Sequence, residues 1–360
     1  MDSVKSKKLF SADEFIGNCK KDSVQYVENK FVDYAVIQNL LAVSSEANQW
    51  TNFGPISKLL EAQLTKDLNL EENLRVVACC NATVALHSLV ALHETLAKRP
   101  LRWVTCAFGF YSSADGILCN ANIVDCNTDG MLDLTKLDLT SFDGLIVTNL
   151  FGYTEQLEKY TTYAEAHNKI LIVDSAMAYH QGGHNSNECI SLHHTKPWGF
   201  GEGGCAIVHK DDEAMFRDLI SFGHNRPDAP IHRIAVNGKI SDVACAFILM
   251  RLQQMQSLRT VYQEQYQRIA KIGINCGLSI LANSYQHPGI PASVPFLLPD
   301  SLEDIACGDF PLKRYYHPLS KTKQAYDIYN RIINIPCHPE MVCYSDEDIA
   351  NVLGTLIARI

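Results

Sequence analysis

The chain has no long hydrophobic run, no cysteine pair at CxxC spacing, no internal repeat and no surplus of basic residues. Its longest clean apolar stretch, Val243–Met250, is far short of the roughly 20 residues a membrane-spanning helix needs. Thirty-one basic against 40 acidic side chains leave a net charge of −9. That is the wrong sign for non-specific binding to nucleic acid or to an anionic membrane, so neither partner is expected. The opening residues, MDSVKSKKLFSADEF, carry no apolar core behind their lysines, and no secretory signal is expected there. The thirteen cysteines are scattered, and several lie inside apolar runs such as RVVACC and VACAFILM. They read as buried free thiols of a reducing compartment rather than a disulfide framework, in a soluble, cytoplasmic protein. With 47% apolar and 20% charged residues over 360 positions, a sizeable core can be buried, which excludes disordered, collagen-like and coiled-coil classes.

From about residue 51 the pattern alternates between strands and helices. TNFGPISKLLEAQLTKDL predicts a turn and an amphipathic helix; LRVVACC, RWVTCAF, NIVDCN, GLIVTNLFG, KILIVDSA and GGCAIVHK predict strands. Helical patterns fall between them at ATVALHSLVALHETLAK, SSADGILCN and LEKYTTYAEAHN. Strands separated by helices argue a mostly parallel sheet covered on both faces. After about residue 240 the pattern becomes one long helical stretch, a strand at ASVPFLLP and a closing helix at DEDIANVLGTLIAR. The expected division is a large domain over 1–240 and a smaller α+β domain over 241–360.

Four segments carry the chemistry. Gly199, Gly201 and Gly204 fit GxGxxG, but they follow TKPW and precede a strand. A dinucleotide site needs the strand first and the helix after, so the glycines read as a tight connection back into the sheet. Ahead of them lie Ser191, His193 and Lys196. A lysine hemmed by Pro197 and Trp198 would be desolvated, lose pKa and become an amine nucleophile toward an aldehyde. Asp174 closes the apolar strand KILIVDSA. It is either a turn or cap residue, or a carboxylate that holds a pyridine nitrogen protonated so that the ring acts as an electron sink. Asn81, Ala82 and Thr83 stand between a strand and a helix, where free N–H groups make a phosphate site, although Asn and Thr are also ordinary caps. Phe108 and Phe110 share a strand-end face, and either could stack on a flat ring. In that order, the features describe a pyridoxal-phosphate enzyme of the fold-type-I aminotransferase architecture.

The same residues resemble the DegT/DnrJ/EryC1/StrS sugar aminotransferases, from about TNFGP near residue 51 to the end of the chain. NATVAL is similar to the family's phosphate turn, and CAFGF to its P-x-x-T-F segment, which puts the stacking ring on Phe110. ANIVDCN is similar to its G-x-x-P-V-x-V-D strand. DSAMA resembles D-x-A-Q/H, placing Ala176 and Met177 beside the cofactor. SLHHTK resembles S-F-H-x-T-K, with Lys196 as the Schiff-base lysine, and Glu202, Gly203 and Gly204 match E-G-G. NGKISD is similar to N-Y-R-x-S/T-D, which implies that Asn237 reaches the phosphate of a neighbouring subunit and that the protein is a homodimer with shared active sites. RYYHPLS resembles an element of several nucleotide-sugar 4-aminotransferases.

Met177 stands where the family has Gln or His, Cys106 replaces the usual Pro, and Gly238 replaces an aromatic. The lysine is kept where the family's dehydratases carry His, so the resemblance implies transamination. It implies pyridoxal 5′-phosphate as cofactor, no metal, L-glutamate as amino donor and a nucleotide-diphosphate ketosugar as acceptor. The expected acceptor is a keto-6-deoxyhexose aminated at C-4, with C-3 as the alternative, in the synthesis of amino-deoxysugars of surface glycans. Another fold-type-I activity, such as a dehydratase, stays open as an alternative. Candidates for the sugar nucleotide are Arg226, Arg233, Lys239 and Arg314–His317.

Overall fold

The computed structural model describes residues 20–153, 156–223, 234–284 and 286–360. Helix α1 (Tyr34–Ala47) starts where the Asp33 carboxylate accepts the N–H groups of Ala35 and Val36, a standard N-cap. Helix α2 (Pro55–Asp67) starts at a Gly–Pro pair, with proline where its missing N–H costs nothing. Its cap comes from a distant residue. Asp242, fully buried, accepts the N–H groups of Ile56 and Ser57 and the hydroxyl of Ser44. A Cβ on Gly54 would lie 2.5 Å from that carboxylate, so the TNFGP and NGKISD segments meet at a point only glycine fits.

The chain then runs β1 (Leu74–Cys79), α3 (Ala82–Ala97), β2 (Trp103–Cys106), β3 (Asn122–Val124), β4 (Gly144–Thr148), α4 (Glu158–Ala166), β5 (Ile170–Asp174), β6 (Glu188–Ser191), β7 (Gly204–His209) and α5 (Glu213–Leu219). The seven strands form one sheet in the order β1-β7-β6-β5-β4-β2-β3. All run parallel except β7, which is antiparallel to both neighbours. Burial on both faces follows from strand alternation: Val77 packs with the α3 residues Leu86, Leu89 and Val90, whereas Val76 and Ala78 pack on the opposite face with Ile56, Leu60 and Leu64 of α2. The fold is thus the mostly parallel, helix-flanked sheet expected from the alternating pattern.

Beyond the sheet, α6 (Asp242–Asn275) is a single helix of 34 residues. It is followed by β8 (Ser279–Ile280), β9 (Ser293–Leu297), α7 (Lys323–Arg331), β10 (Ile332–Pro336) and α8 (Asp346–Ile357). β8, β9 and β10 make a small antiparallel sheet. Three features differ from the sequence expectation. SSADGILCN forms two 3₁₀ turns rather than one helix, because Gly116, at φ +59°, breaks the run. Glu188–Ser191 is a strand, although ECIS is short and begins with a charge. Among the described residues eleven cysteines are free, seven of them buried, but Cys343 is disulfide-bonded, so the expectation of free thiols fails there. Among the described residues no helix is long and apolar enough to cross a membrane.

Candidate active site

Because β1, β2, β4, β5 and β6 run the same way, their C-terminal ends share one edge of the sheet, where an α/β fold places ligands. Asp174 ends β5 and pairs in register with Thr148 at the end of β4. Ser191 ends β6 opposite Gly204, and Cys79 at the end of β1 faces the same glycine. These ends open onto a cavity of about 490 Å³. Of the residues singled out in the sequence, Ala82, Thr83, Phe110, Asp174, Ala176, Met177, Ser191, His193 and Lys196 all line it. Phe108 lies instead in the core, edge-on to Tyr316.

The N-terminus of α3 forms one wall. Asn81 caps it by accepting the Val84 N–H at 2.8 Å. The Ala82 and Thr83 N–H groups, which have no intrahelical acceptor, stand at the cavity. Gly204 makes this approach possible, since a Cβ there would lie 2.4 Å from the Ala82 nitrogen. Cradle and helix dipole suit an anion such as a phosphate monoester.

Asp174 is 2% exposed. Burial raises its pKa, against the Ala176 N–H at 3.0 Å, the Lys196 charge and the Cys189 thiol at 3.6 Å. A carboxylate so desolvated is stabilised by a cationic or N–H partner arriving in the cavity. Thr148 Oγ1, on the neighbouring strand, is buried with no hydrogen-bond partner, a second polar group that a ligand would satisfy.

Lys196 lies on the connection between β6 and β7. The glycine-spaced segment folds back on itself through Leu192 N–H to Gly203 O at 2.9 Å, His194 N–H to Gly201 O at 2.8 Å and Phe200 N–H to Leu192 O at 3.1 Å. Gly199 packs so closely that a Cβ would lie 2.2 Å from the His193 carbonyl. Trp198, fully buried, stacks on Tyr179 and donates its indole N–H to Ser191 O at 2.7 Å. Held this way, Lys196 directs Nζ to 2.8 Å from Met177 Sδ. Burial lowers its pKa to about 8, with Asp174 acting in the other direction, so a usable share of the amine is unprotonated near neutral pH. His193 bonds Thr195 through Nδ1 at 2.9 Å and meets Glu202 through Nε2 at 3.4 Å.

The amine, the buried carboxylate, the anion cradle and the exposed Phe110 ring fit pyridoxal phosphate. Lys196 would hold the aldehyde, Asp174 the ring nitrogen, and the α3 N-terminus with Ser191 the phosphate. Asn237 is different. It is exposed, bonded by Lys239 Nζ at 2.6 Å, and does not line the cavity. Of the sugar-nucleotide candidates, Tyr315 and Tyr316 line the cavity. Arg314 spends its guanidinium on the carbonyls of Leu302, Glu303 and Ile332, and His317 bonds the Pro318 carbonyl. Arg226 and Arg233 lie outside the described residues. Sequence reasoning missed Tyr26 and Val27, which reach the cavity from the N-terminal segment, and Thr148 and Thr195. Only Thr148, closing an apolar strand beside Asp174, carried a signal of its own.

A second titratable cluster, His180, His184 and Glu188, is buried, with its donor atoms within 4.8 Å of one another. His184 spends Nδ1 on Glu188 at 3.0 Å and Nε2 on the His180 carbonyl at 3.1 Å. Burial opposes its charge, but the Glu188 hydrogen bond and charge raise its pKa. The two imidazoles stack 4.2 Å apart and 10° from parallel, so their in-plane lone pairs do not converge on one ion. This is a buried hydrogen-bonded pair between His184 and Glu188, the first residue of β6.

Known proteins share this fold. The family model of the DegT/DnrJ/EryC1/StrS aminotransferases matches residues 33–274. The chain is 24% identical to protein Rv3402c of Mycobacterium tuberculosis, over 92% of this chain and 89% of that one. It is 22% identical to dTDP-4-amino-4,6-dideoxy-D-glucose transaminase of Shigella dysenteriae, over 84% of this chain and 90% of that one. In structure it is similar to Helicobacter pylori PseC, an aminotransferase involved in the biosynthesis of pseudoaminic acid. The TM-score is 0.75 at 18% identity, covering 93% of this chain and 99% of that one. It is similar to DesI, solved in the presence of its TDP-sugar product, at TM-score 0.75 and 18% identity, covering 96% and 95%. Likeness at these identities shows the fold, and that fold is the fold-type-I arrangement. The family match covers more than half of the chain, so the chain belongs to the DegT/DnrJ/EryC1/StrS family and is a pyridoxal-phosphate-dependent sugar aminotransferase.

Proposed function

We propose that this enzyme moves the amino group of L-glutamate to C-4 of a nucleotide-diphosphate-linked 4-keto-6-deoxyhexose, in the synthesis of amino-deoxysugars of surface glycans. The observation that carries the reading is the meeting of Lys196, Asp174 and the α3 N-terminus in one cavity. The preference for C-4 is supported by the name of the Shigella relative and by the position of Tyr315 and Tyr316, from the RYYHPLS element, on the cavity wall.

Bound pyridoxal phosphate supplies the electron sink for the donor's α-carbon. The protein does the rest. The Asp174 carboxylate, dry and on the cavity floor, keeps a proton on the ring nitrogen. The Lys196 amine, with its lowered pKa, removes the donor's α-proton as general base and returns a proton as general acid. The α3 N–H groups and the Ser191 hydroxyl anchor the phosphate, so that the chemistry happens at a fixed distance from Lys196. The nucleotide of the acceptor provides remote binding energy that aligns a small sugar carbonyl.

Asp174→Asn keeps the shape of the side chain and removes its charge. The variant is expected to bind cofactor but to lose at least about a hundredfold in the rate of the glutamate half-reaction, the scale of a lost electrostatic stabiliser. A near-normal rate would leave Asp174 as a cap on the Ala176 N–H. Matched 4-keto and 3-keto nucleotide sugars, offered to the aminated enzyme, test the acceptor. Faster turnover of the 4-keto compound is expected, with the product position read by NMR. Preference for the 3-keto compound would move the amination to C-3, and inactivity with both would remove the sugar class.

The homodimer with Asn237 acting in trans is supported by the family resemblance and by its place outside the cavity of its own subunit. Mixing Lys196→Ala protomers with Asn237→Ala protomers is expected to recover activity, because one of the two composite sites is then intact. Heterodimers that form without recovery would count against a shared site.

A further inference from the structure

We infer that Lys30 is a positioning residue for Lys196, binding the turn that carries it through three of its backbone carbonyls. The inference rests on the reading of Lys196 as the amine that holds the cofactor. Lys30 belongs to the N-terminal segment ahead of α1 and is 9% exposed. Its Nζ donates to the carbonyl oxygens of His194 at 2.6 Å, Lys196 at 2.5 Å and Gly199 at 2.6 Å. An ammonium has three N–H groups, and here each meets one carbonyl. Burial and the Arg251 cation lower the Lys30 pKa to about 6. The three carbonyls oppose this, since a neutral amine would turn its lone pair on one of them; the geometry is that of the ammonium.

A second buried cation completes the bracket. Arg251 of α6, 1% exposed, donates from Nε to Pro197 O at 2.7 Å. It is ion-paired with Glu28, 4% exposed, which also accepts the Tyr262 hydroxyl at 2.6 Å. The carbonyls of residues 194, 196, 197 and 199 are therefore each tied to a cation from outside the turn. A fold needs no such arrangement merely to close a loop, because the connection already has its own backbone bonds and the Trp198 anchor. What the bracket adds is a fixed peptide plane at Lys196 itself, one end of a side chain with four free torsions. Small displacements at a reacting amine cost large factors in rate.

The test compares two probes on Lys30→Met. Pyridoxamine phosphate reports the cavity without needing the lysine, and pyridoxal phosphate reports covalent capture by its near-visible absorbance. The variant is expected to bind pyridoxamine phosphate within about threefold of the parent. The fraction of bound pyridoxal phosphate held covalently, and kcat, should each fall by about tenfold or more, with KM for glutamate changed less. Lys30→Arg should recover part of the loss, because its fork keeps the charge and can reach two of the carbonyls. If Lys30→Met does not fold, Lys30→Gln, which keeps two N–H donors, is read in the same way. Equal weakening of both probes would make Lys30 a structural residue only, and no change in either would overturn the inference as well. Borohydride reduction of the parent separates the two levels. A pyridoxyl label on another lysine overturns the reading of Lys196 and the inference with it. A label on Lys196 with an unchanged covalent fraction in the variant overturns the inference alone.

Discussion

Keeping an amine and a carboxylate dry at one edge of a sheet is the constraint on which this structure depends. Water would return Lys196 to its ordinary basicity and would hydrate Asp174, and the site would lose both its unprotonated amine and its demand for a cationic partner. Dryness requires strand ends that are buried, a turn that packs against the core and a wall that closes the opposite side. The mostly parallel sheet provides the first, since helices cover both faces and the chemistry is left to the strand termini. Trp198 and its stack on Tyr179 provide the second. The third comes from Tyr26 and Val27, together with Tyr315 and Tyr316, from the two ends of the chain.

Glycine marks where the backbones come closest. Gly204 lets the start of β7 lie against the Ala82 nitrogen, Gly199 lets the lysine turn pack on the His193 carbonyl, and Gly54 leaves room for the Asp242 carboxylate that caps α2. Each is a contact in which a methyl group would displace the site or its support. The GxGxxG pattern of Gly199, Gly201 and Gly204 therefore has a physical cause unrelated to dinucleotides: a reversal from β6 into the antiparallel β7 that must pass beside the N-terminus of α3.

The central sheet was legible because its strands are apolar runs closed by polar residues, as in KILIVDSA, and its helices repeat at helical spacing. The cavity residues after β1 and β5 were legible for the same reason, since each follows a recognisable strand end, whereas Ser191, His193 and Lys196 were legible from their place ahead of the glycine turn, beside Pro197 and Trp198. β6 itself was not, because four residues beginning with Glu188 carry little pattern; that glutamate is tolerated in the core because His184 pairs with it. Nor could the sequence place Tyr26 in the cavity or Lys30 on the lysine turn. Those contacts join residues more than 160 positions apart, and a lone lysine near an N-terminus looks like any solvated cation. Asp242 shows the same limit: beside Ser241 it reads as the start of a helix, while its carboxylate in fact caps another helix. The disulfide of Cys343 had no spacing signal at all.

The central claim is that the Lys196 amine carries the proton in the transamination. The rate of the glutamate half-reaction in Lys196→Ala, measured on enzyme given its cofactor, tests it most directly. A positioned acid–base group is worth about 10²–10⁴-fold, and the account predicts a loss at least that large, with partial rescue by small primary amines that rises with their basicity. A Lys196→Ala enzyme that reacts with glutamate within about tenfold of the parent rate, a loss below that range, would contradict it.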